Sequence, residues 1–293
     1  MRERSTITSK ESQKNLRHMP ATKHMYSVFM MLFFVVSFSG LLTSCGTLSN
    51  GRLGQNNDIH SSDSRRFVGS VRDAFLDYRT LIPAAAALVF AVDDLDERVS
   101  DWATKENPIF GSEECSRDVS DALRATLLIE ALSTAMVAPQ AGGYEKKEHS
   151  RSKVVGVELL AMGVTGGLTV AIKNSVERNR PDDSNEESFP SGHASGVFSY
   201  AFLANRNLER TRLSTPLKLS LQTMNVCLAA GVSWARVEGD KHFPSDVLAG
   251  AALGHFVTSA IFNTFIEMPD QKNYSFMIFP CKGGAVAQLS FAF

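Results

Sequence analysis

Cysteine, tryptophan, tyrosine and net charge are all scarce in this chain of 293 residues. It has four Cys, two Trp and five Tyr, and its formal net charge is only -1. So few cysteines exclude a disulfide scaffold. A near-neutral balance, with a pI near 6.7, gives no broad field for nucleic acid, so no nucleic-acid partner is expected and any functional basic residues must act locally. Internal repeats and low-complexity runs are absent too. Long hydrophobic runs are few, and mean hydropathy is -0.07, low for a protein with six membrane spans.

What is present starts with a targeting pattern. Lys10, Lys14, Arg17 and Lys23 precede an apolar run from Tyr26 to Leu42 and then Leu42-Thr43-Ser44-Cys45, the order of a signal peptide. The tetrapeptide resembles a bacterial lipobox, which implies a signal peptide over 1–44, lipidation of Cys45, and an exported, lipid-anchored protein of the bacterial cell envelope facing the periplasm. Residues 45–66 are rich in Gly, Ser, Asn and Asp and read as a flexible tether. Three cysteines remain after such processing, an odd number. Cys227 lies in an apolar run and reads as a buried small hydrophobe; a Cys115–Cys281 bridge is left open.

Apolar stretches of helical length follow at about 81–92, 119–138, 153–174, 192–206, 217–235 and 245–266, which predict an all-α bundle of about six helices within 67–268. Only 154–172 and 245–266 approach the ~20 apolar residues of a membrane span. The expectation is therefore a bundle lying on or partly in the membrane, with Glu158 an interhelix polar contact and His255 a satisfied core histidine. In the tail, 269–293, alternating residues flank a Gly-Gly turn, the pattern of a β-hairpin.

Three blocks carry chemistry. The first, KNSVERNRP, places Lys173 and Arg180 seven residues apart, which returns both cations to one face of a helix running to about 179, with Pro181 ending it. The second, Pro190-Ser191-Gly192-His193, opens a helical pattern with Ser191 as N-cap. Its free backbone N–H groups suit an anion, Gly192 permits close approach, and His193 can protonate a departing alkoxide. In the third, RVEGDKHFPSD, Pro244 suits a first helical position, so His242 precedes a helix and Asp246 can reach back to its imidazole. Each block alone is unremarkable: helix-end cations are mostly solvated, and His-x3-Asp is a common helix start. Ten specified positions in order and in register are a different matter.

Their order and spacing resemble the signature of the type 2 phosphatidic acid phosphatase superfamily, which includes lipid phosphatases, bacterial acid phosphatases and vanadium haloperoxidases. The resemblance covers 173–246 directly. It implies a helical bundle with the active site at helix ends and hydrolysis without a metal. His242 would be the nucleophile forming a phosphohistidine, Asp246 its orienting partner and His193 the general acid. Lys173, Arg180, Ser191, Gly192 and Arg236 would hold the phosphoryl oxygens. The expected substrate is a phosphorylated lipid, phosphatidic acid-like or an isoprenyl diphosphate. The alternatives are an acid phosphatase for small soluble esters, a haloperoxidase that would need vanadate, and an inactive envelope-binding lipoprotein. Two departures stand out: Ala235 occupies the place before Arg236 where the family usually has Ser, and the loop 182–189, with four carboxylates, is too short for a large lid.

Overall fold

The computed structural model describes residues 57–92, 94–138, 150–266, 274–281 and 284–291. Side chains are described from 65 to 266 within those ranges. The expected signal peptide, 1–44, and Cys45 lie outside them.

Eight helices form the described bundle: α1 Asn57–Leu76, α2 Tyr78–Phe90, α3 Leu95–Glu106, α4 Glu113–Val137, α5 Arg151–Val176, α6 Gly192–Glu209, α7 Thr215–Glu238 and α8 Pro244–Phe265. Strands β1 Tyr274–Cys281 and β2 Gly284–Phe291 pair antiparallel as the expected hairpin. The all-α expectation holds, but the helix count rises from about six to eight. α3 escaped the sequence reading because LDERVSDWATKE is short and mostly polar, so its few apolar residues, Leu95, Val99, Trp102 and Ala103, do not stand out as an apolar stretch. α1 opens at Asn57, inside the stretch read as tether.

Caps fix several boundaries. Ser112, Ser150 and Ser191 each accept a backbone N–H of the first turn, from Cys115 (3.1 Å), Lys153 (3.3 Å) and Ala194 (3.4 Å) respectively, satisfying donors that a helix start leaves orphaned. α5 ends earlier than expected. Glu177 takes a left-handed conformation (φ 48°) and closes the helix at Val176, so Arg180 lies in the following loop rather than on the helix.

The core is built around α6 and α8. Leu203, Phe202 and Phe262 pack with Val154, Val157 and Ala131, joining α4, α5, α6 and α8. Val197 and Ala201 meet Leu127, Ala229 and Val232 of α4 and α7. α6 and α8 approach closely because α8 carries Gly250 and Gly254: a Cβ there would stand 2.6 Å from the Ser191 carbonyl oxygen and 2.2 Å from that of Ser195. Glu158 is fully buried and accepts from Asn207 Nδ2 at 2.8 Å, an interhelix contact between α5 and α6 as expected. His255 is core too, but half satisfied: Nδ1 meets Thr80 Oγ1 at 2.9 Å while Nε2 has no partner. Cys227 is a correction. It is free and exposed, as is Cys115, because its apolar run occupies a helix face that the bundle leaves uncovered.

α5 and α8 are the two described helices long and apolar enough to cross a membrane. α8 is mostly covered by its neighbours, whereas only a third of the apolar stretch of α5 is buried. Leu159, Leu160, Leu168 and Val170 on α5 face outward, as do Ile129 and Met136 on α4 and Leu219 and Val226 on α7.

Candidate active site

One end of the bundle gathers the residues singled out in the sequence. The C-termini of α5 and α7 and the N-termini of α6 and α8 meet there, beside the first turns of α4. Between them lies a cavity of about 250 Å³ lined by Lys173, Arg180, Gly192, His193, Arg236 and His242. It continues between α5 and α6 past Thr169, Val170, Gly166, Met162 and Tyr200. The charged end and the weakly polar groove are one space.

Three cations converge on the charged end. Arg236 is 7% exposed, donates from Nη1 to Ser120 Oγ at 3.3 Å, and leaves Nε unpartnered. Arg180 likewise has a buried, unpartnered Nε; its position comes from the loop, where its N–H donates to the Asn185 carbonyl at 3.0 Å. Lys173 Nζ donates to the Glu187 carbonyl. Burial lowers the Arg236 pKa to about 10, with Arg180, Arg117 and Arg124 adding to the fall against Asp121. Among the described residues none of the three cations sits in a salt bridge, so their charge is available to a ligand. Buried positive charge held without counter-ions is costly unless an anion arrives.

Ser191 caps α6 and is itself fixed by its N–H donating to the Asp246 carbonyl at 2.9 Å. This sets the first turn of α6, with its free N–H groups and positive dipole end, against the cavity. At Gly192 a Cβ would meet only Thr169 and Lys173, at 3.8 and 3.9 Å. Packing alone therefore does not demand glycine there.

His242 is buried, and its Nδ1 lies 2.8 Å from the Ser188 carbonyl oxygen. A carbonyl only accepts, so Nδ1 carries the hydrogen and Nε2 keeps its lone pair. Burial pushes the ring down to about 4, Lys173 and Arg236 push the same way, and Asp246 opposes them. The ring is neutral at physiological pH. Here the sequence reading needs correction: Asp246 does not hydrogen-bond the imidazole but stands 3.9 Å from Nδ1. Its oxygens are occupied by Arg178 Nη1 (2.6 Å), Ser188 Oγ (2.5 Å) and the Phe243 N–H (2.9 Å). The carboxylate thus supports His242 through Ser188 and through its charge.

Behind it lies a network that the sequence did not disclose. Arg178 is buried between Asp246 and Asp96, with 2.9 Å from Nη2 to Asp96 Oδ2, and it also donates to Ser245 Oγ at 2.8 Å. Its guanidinium lies over the Phe243 ring, 4.2 Å from the centroid. Ser245 in turn donates its N–H to Asp96 Oδ1 at 2.8 Å and its hydroxyl to Oδ2. Burial opposes the charge on Arg178, but Asp246 and Asp96 outweigh it and hold the pKa above the usual value. Nothing in the local pattern around Asp96 or Arg178 separates them from ordinary surface charges; only the fold brings them together.

His193 was expected in the site and is there, with a partner that was not: Nε2 is 2.6 Å from Asp121 Oδ1 on α4. Burial lowers its pKa to about 4, helped by Arg236 and Arg124 and opposed by Asp121. The hydroxyl missing at Ala235 is not replaced by Ser233, which turns to the Ala229 carbonyl (3.0 Å); Ser120 of α4 supplies the one that meets Arg236. The acidic loop is tied down rather than open: Asp182 pairs with Lys241, and the Ser188 N–H donates to the Arg178 carbonyl at 2.9 Å.

Residues 156–267 match the model of the PAP2 superfamily. Over 115 residues the chain is 36% identical to the lipid A 1-phosphatase of Porphyromonas gingivalis, a match that takes in 39% of this chain. It spans only 24% of that relative's length. Among solved structures, the fold is similar to a transmembrane PAP2 type phosphatidylglycerolphosphate phosphatase from Bacillus subtilis. That likeness has a TM-score of 0.50 at 23% identity and covers 66% of this chain and 94% of the other.

Proposed function

Taking the PAP2 superfamily domain at 156–267 as premise, we propose that this protein is a metal-independent phosphatase of phosphorylated membrane lipids. The observation that carries the reading is the unpaired triad of Lys173, Arg180 and Arg236 facing a neutral, buried His242 across one cavity. Such a site binds a phosphoryl dianion and presents it with a nucleophile.

The reaction runs in two balanced steps. The lone pair of His242 Nε2 attacks phosphorus, the bond to the leaving oxygen breaks, and His193 donates the proton that makes it an alcohol. His193 then takes a proton from water, whose oxygen attacks the phosphohistidine, releasing phosphate and restoring His242. Lys173, Arg180, Arg236 and the first-turn N–H groups of α6, from the Ser191-Gly192 stretch onward, stabilise the charge on the three equatorial oxygens. The Nδ1 hydrogen bond to Ser188 fixes the tautomer, and Asp246 offsets the positive charge that grows on the ring as the P–N bond forms. The ligand-free cavity disfavours a protonated His193; a bound dianion neutralises Arg236 and restores its proton affinity.

The groove past Val170, Gly166, Met162 and Tyr200 favours a substrate with an apolar tail over a small soluble ester, and the outward apolar faces of α4, α5 and α7 favour action at a membrane. The lipid phosphatases similar to this chain support the same class. Export and anchoring through Cys45 in the bacterial envelope complete the proposal.

The test is phosphate release by the full chain in detergent, with chelator present, from phosphatidic acid, an isoprenyl diphosphate, lipid A 1-phosphate and a chromogenic ester. We expect release from at least one lipid, and a loss of 10³-fold or more in His242→Ala. Equal rates in the two proteins would overturn the assignment. Oxidation of halide only with vanadate and peroxide would select the haloperoxidase alternative.

A further inference from the structure

His193 does not stand alone in the cavity, and its partner comes from outside the region that matches the PAP2 model. Asp121, in the third turn of α4, places Oδ1 2.6 Å from His193 Nε2, and its side chain is 68% exposed. The pair therefore sits at the rim, one member lining the cavity and the other facing solvent. Asp121 has no role in capping α4, whose first turn is served by Ser112. Among the described residues, the hydrogen bond of its side chain goes to His193.

The other charged groups around His193 are mostly positive. Arg124 stands on α4, Arg236 on α7, Lys173 on α5 and Arg180 in the loop after it, with neutral His242 across the cavity. A general acid set among four cations loses its proton too readily to serve at neutral pH. Asp121 is the carboxylate in contact with it.

We propose that Asp121 is a positioning residue for the general acid, holding the His193 ring by Nε2–H so that Nδ1 is the nitrogen that serves the leaving oxygen, and sustaining the imidazolium against the surrounding cations. The inference rests on the phosphatase reading above, in which His193 is the acid. Asp121 touches no reacting atom; it acts through the ring. The sign follows from charge: removing a carboxylate lowers the proton affinity of the acid, so the high-pH limb of kcat moves to lower pH.

The experiment compares wild type, Asp121→Asn and Asp121→Glu in detergent, on a lipid phosphate whose alcohol leaving group needs a proton and on p-nitrophenyl phosphate, whose leaving group barely does. In Asp121→Asn we expect kcat on the lipid to fall about tenfold to a hundredfold, part of the roughly 10²–10⁴ that general acids contribute, with KM little changed. The loss on the nitrophenyl ester should be smaller, the high-pH limb should shift down, and Asp121→Glu should recover most of the rate. Equal losses on both esters, or an unmoved limb, would overturn the proposal. An NMR titration of the His193 ring in the same proteins separates the two readings. An unchanged ring in Asp121→Asn sinks the Asp121 proposal, whatever the activity. A shifted ring in a wild type that releases no phosphate upholds the Asp121–His193 coupling and removes the phosphatase reading instead.

Discussion

Arg178 shows how much of the site depends on a residue that touches no ligand. It neutralises two buried carboxylates, Asp96 and Asp246, and replacing it with Met strands both. Breaking one member of such a buried set costs about 3–5 kcal/mol, so Arg178→Met should lower the unfolding midpoint sharply and abolish phosphate release. Ser188→Ala removes a single buried donor to Asp246 but keeps the backbone carbonyl that orients His242, so it should cost about 1–3 kcal/mol and leave measurable activity. The imidazoles give a pH prediction. Both His193 and His242 sit near 4 in the folded chain, below the ~6.5 of an unfolded histidine. The unfolded state thus binds more protons between pH 6.5 and 4, and stability falls as pH drops through that window. Thermal unfolding at pH 7 and 4.5 checks this, and His242→Gln should flatten the decline. At this scale the sequence was legible where residue type and spacing were both constrained, as for Lys173, His193, Arg236 and His242. Asp96, Ser120, Asp121 and Arg178 were illegible because their partners lie 67 or more positions away in the chain.

Among the helices, α8 and α5 use glycine in opposite ways. A methyl group at Gly250 would drive into the Ser191 carbonyl and the Ala194 side chain, displacing the turn that carries Gly192 and His193. Gly250→Ala should therefore cost about 1–3 kcal/mol and reduce turnover of every substrate alike. At Gly166 a Cβ meets nothing within 4 Å, and the position lines the groove. Gly166→Leu should leave the unfolding midpoint unchanged or higher, since leaving glycine in a helix gains up to about 1 kcal/mol. Its KM for a long-chain lipid phosphate should rise about tenfold, with little change for a small soluble ester; kinetics on the two substrates decide it. Apolar periodicity predicted α4 to α8 because each buries a continuous face. It missed α3, where Leu95, Val99, Trp102 and Ala103 are few within a short polar sequence and the buried residues include Asp96 and Ser100. It also misjudged the end of α5, where Glu177 rather than Pro181 stops the helix.

At the level of the whole molecule, the cationic cavity lies at one end of the bundle while apolar side chains of α4, α5 and α7 face outward along its length. The same arrangement explains a mean hydropathy near zero, since the charged residues of the helix ends and loops offset those faces in the average. The buried line from Asp96 through Arg178 and Asp246 to Ser188 and His242 has a consequence for modularity. The carboxylate at its far end and the aspartate at the rim both come from helices that precede residue 150, before the region that matches the PAP2 model. A chimaera that grafts 156–267 onto another scaffold would inherit every signature residue yet strand Arg178 without its second counter-ion. The unit that recombines or evolves intact is therefore larger than the unit that similarity detects, and α3 and α4 have to travel with it.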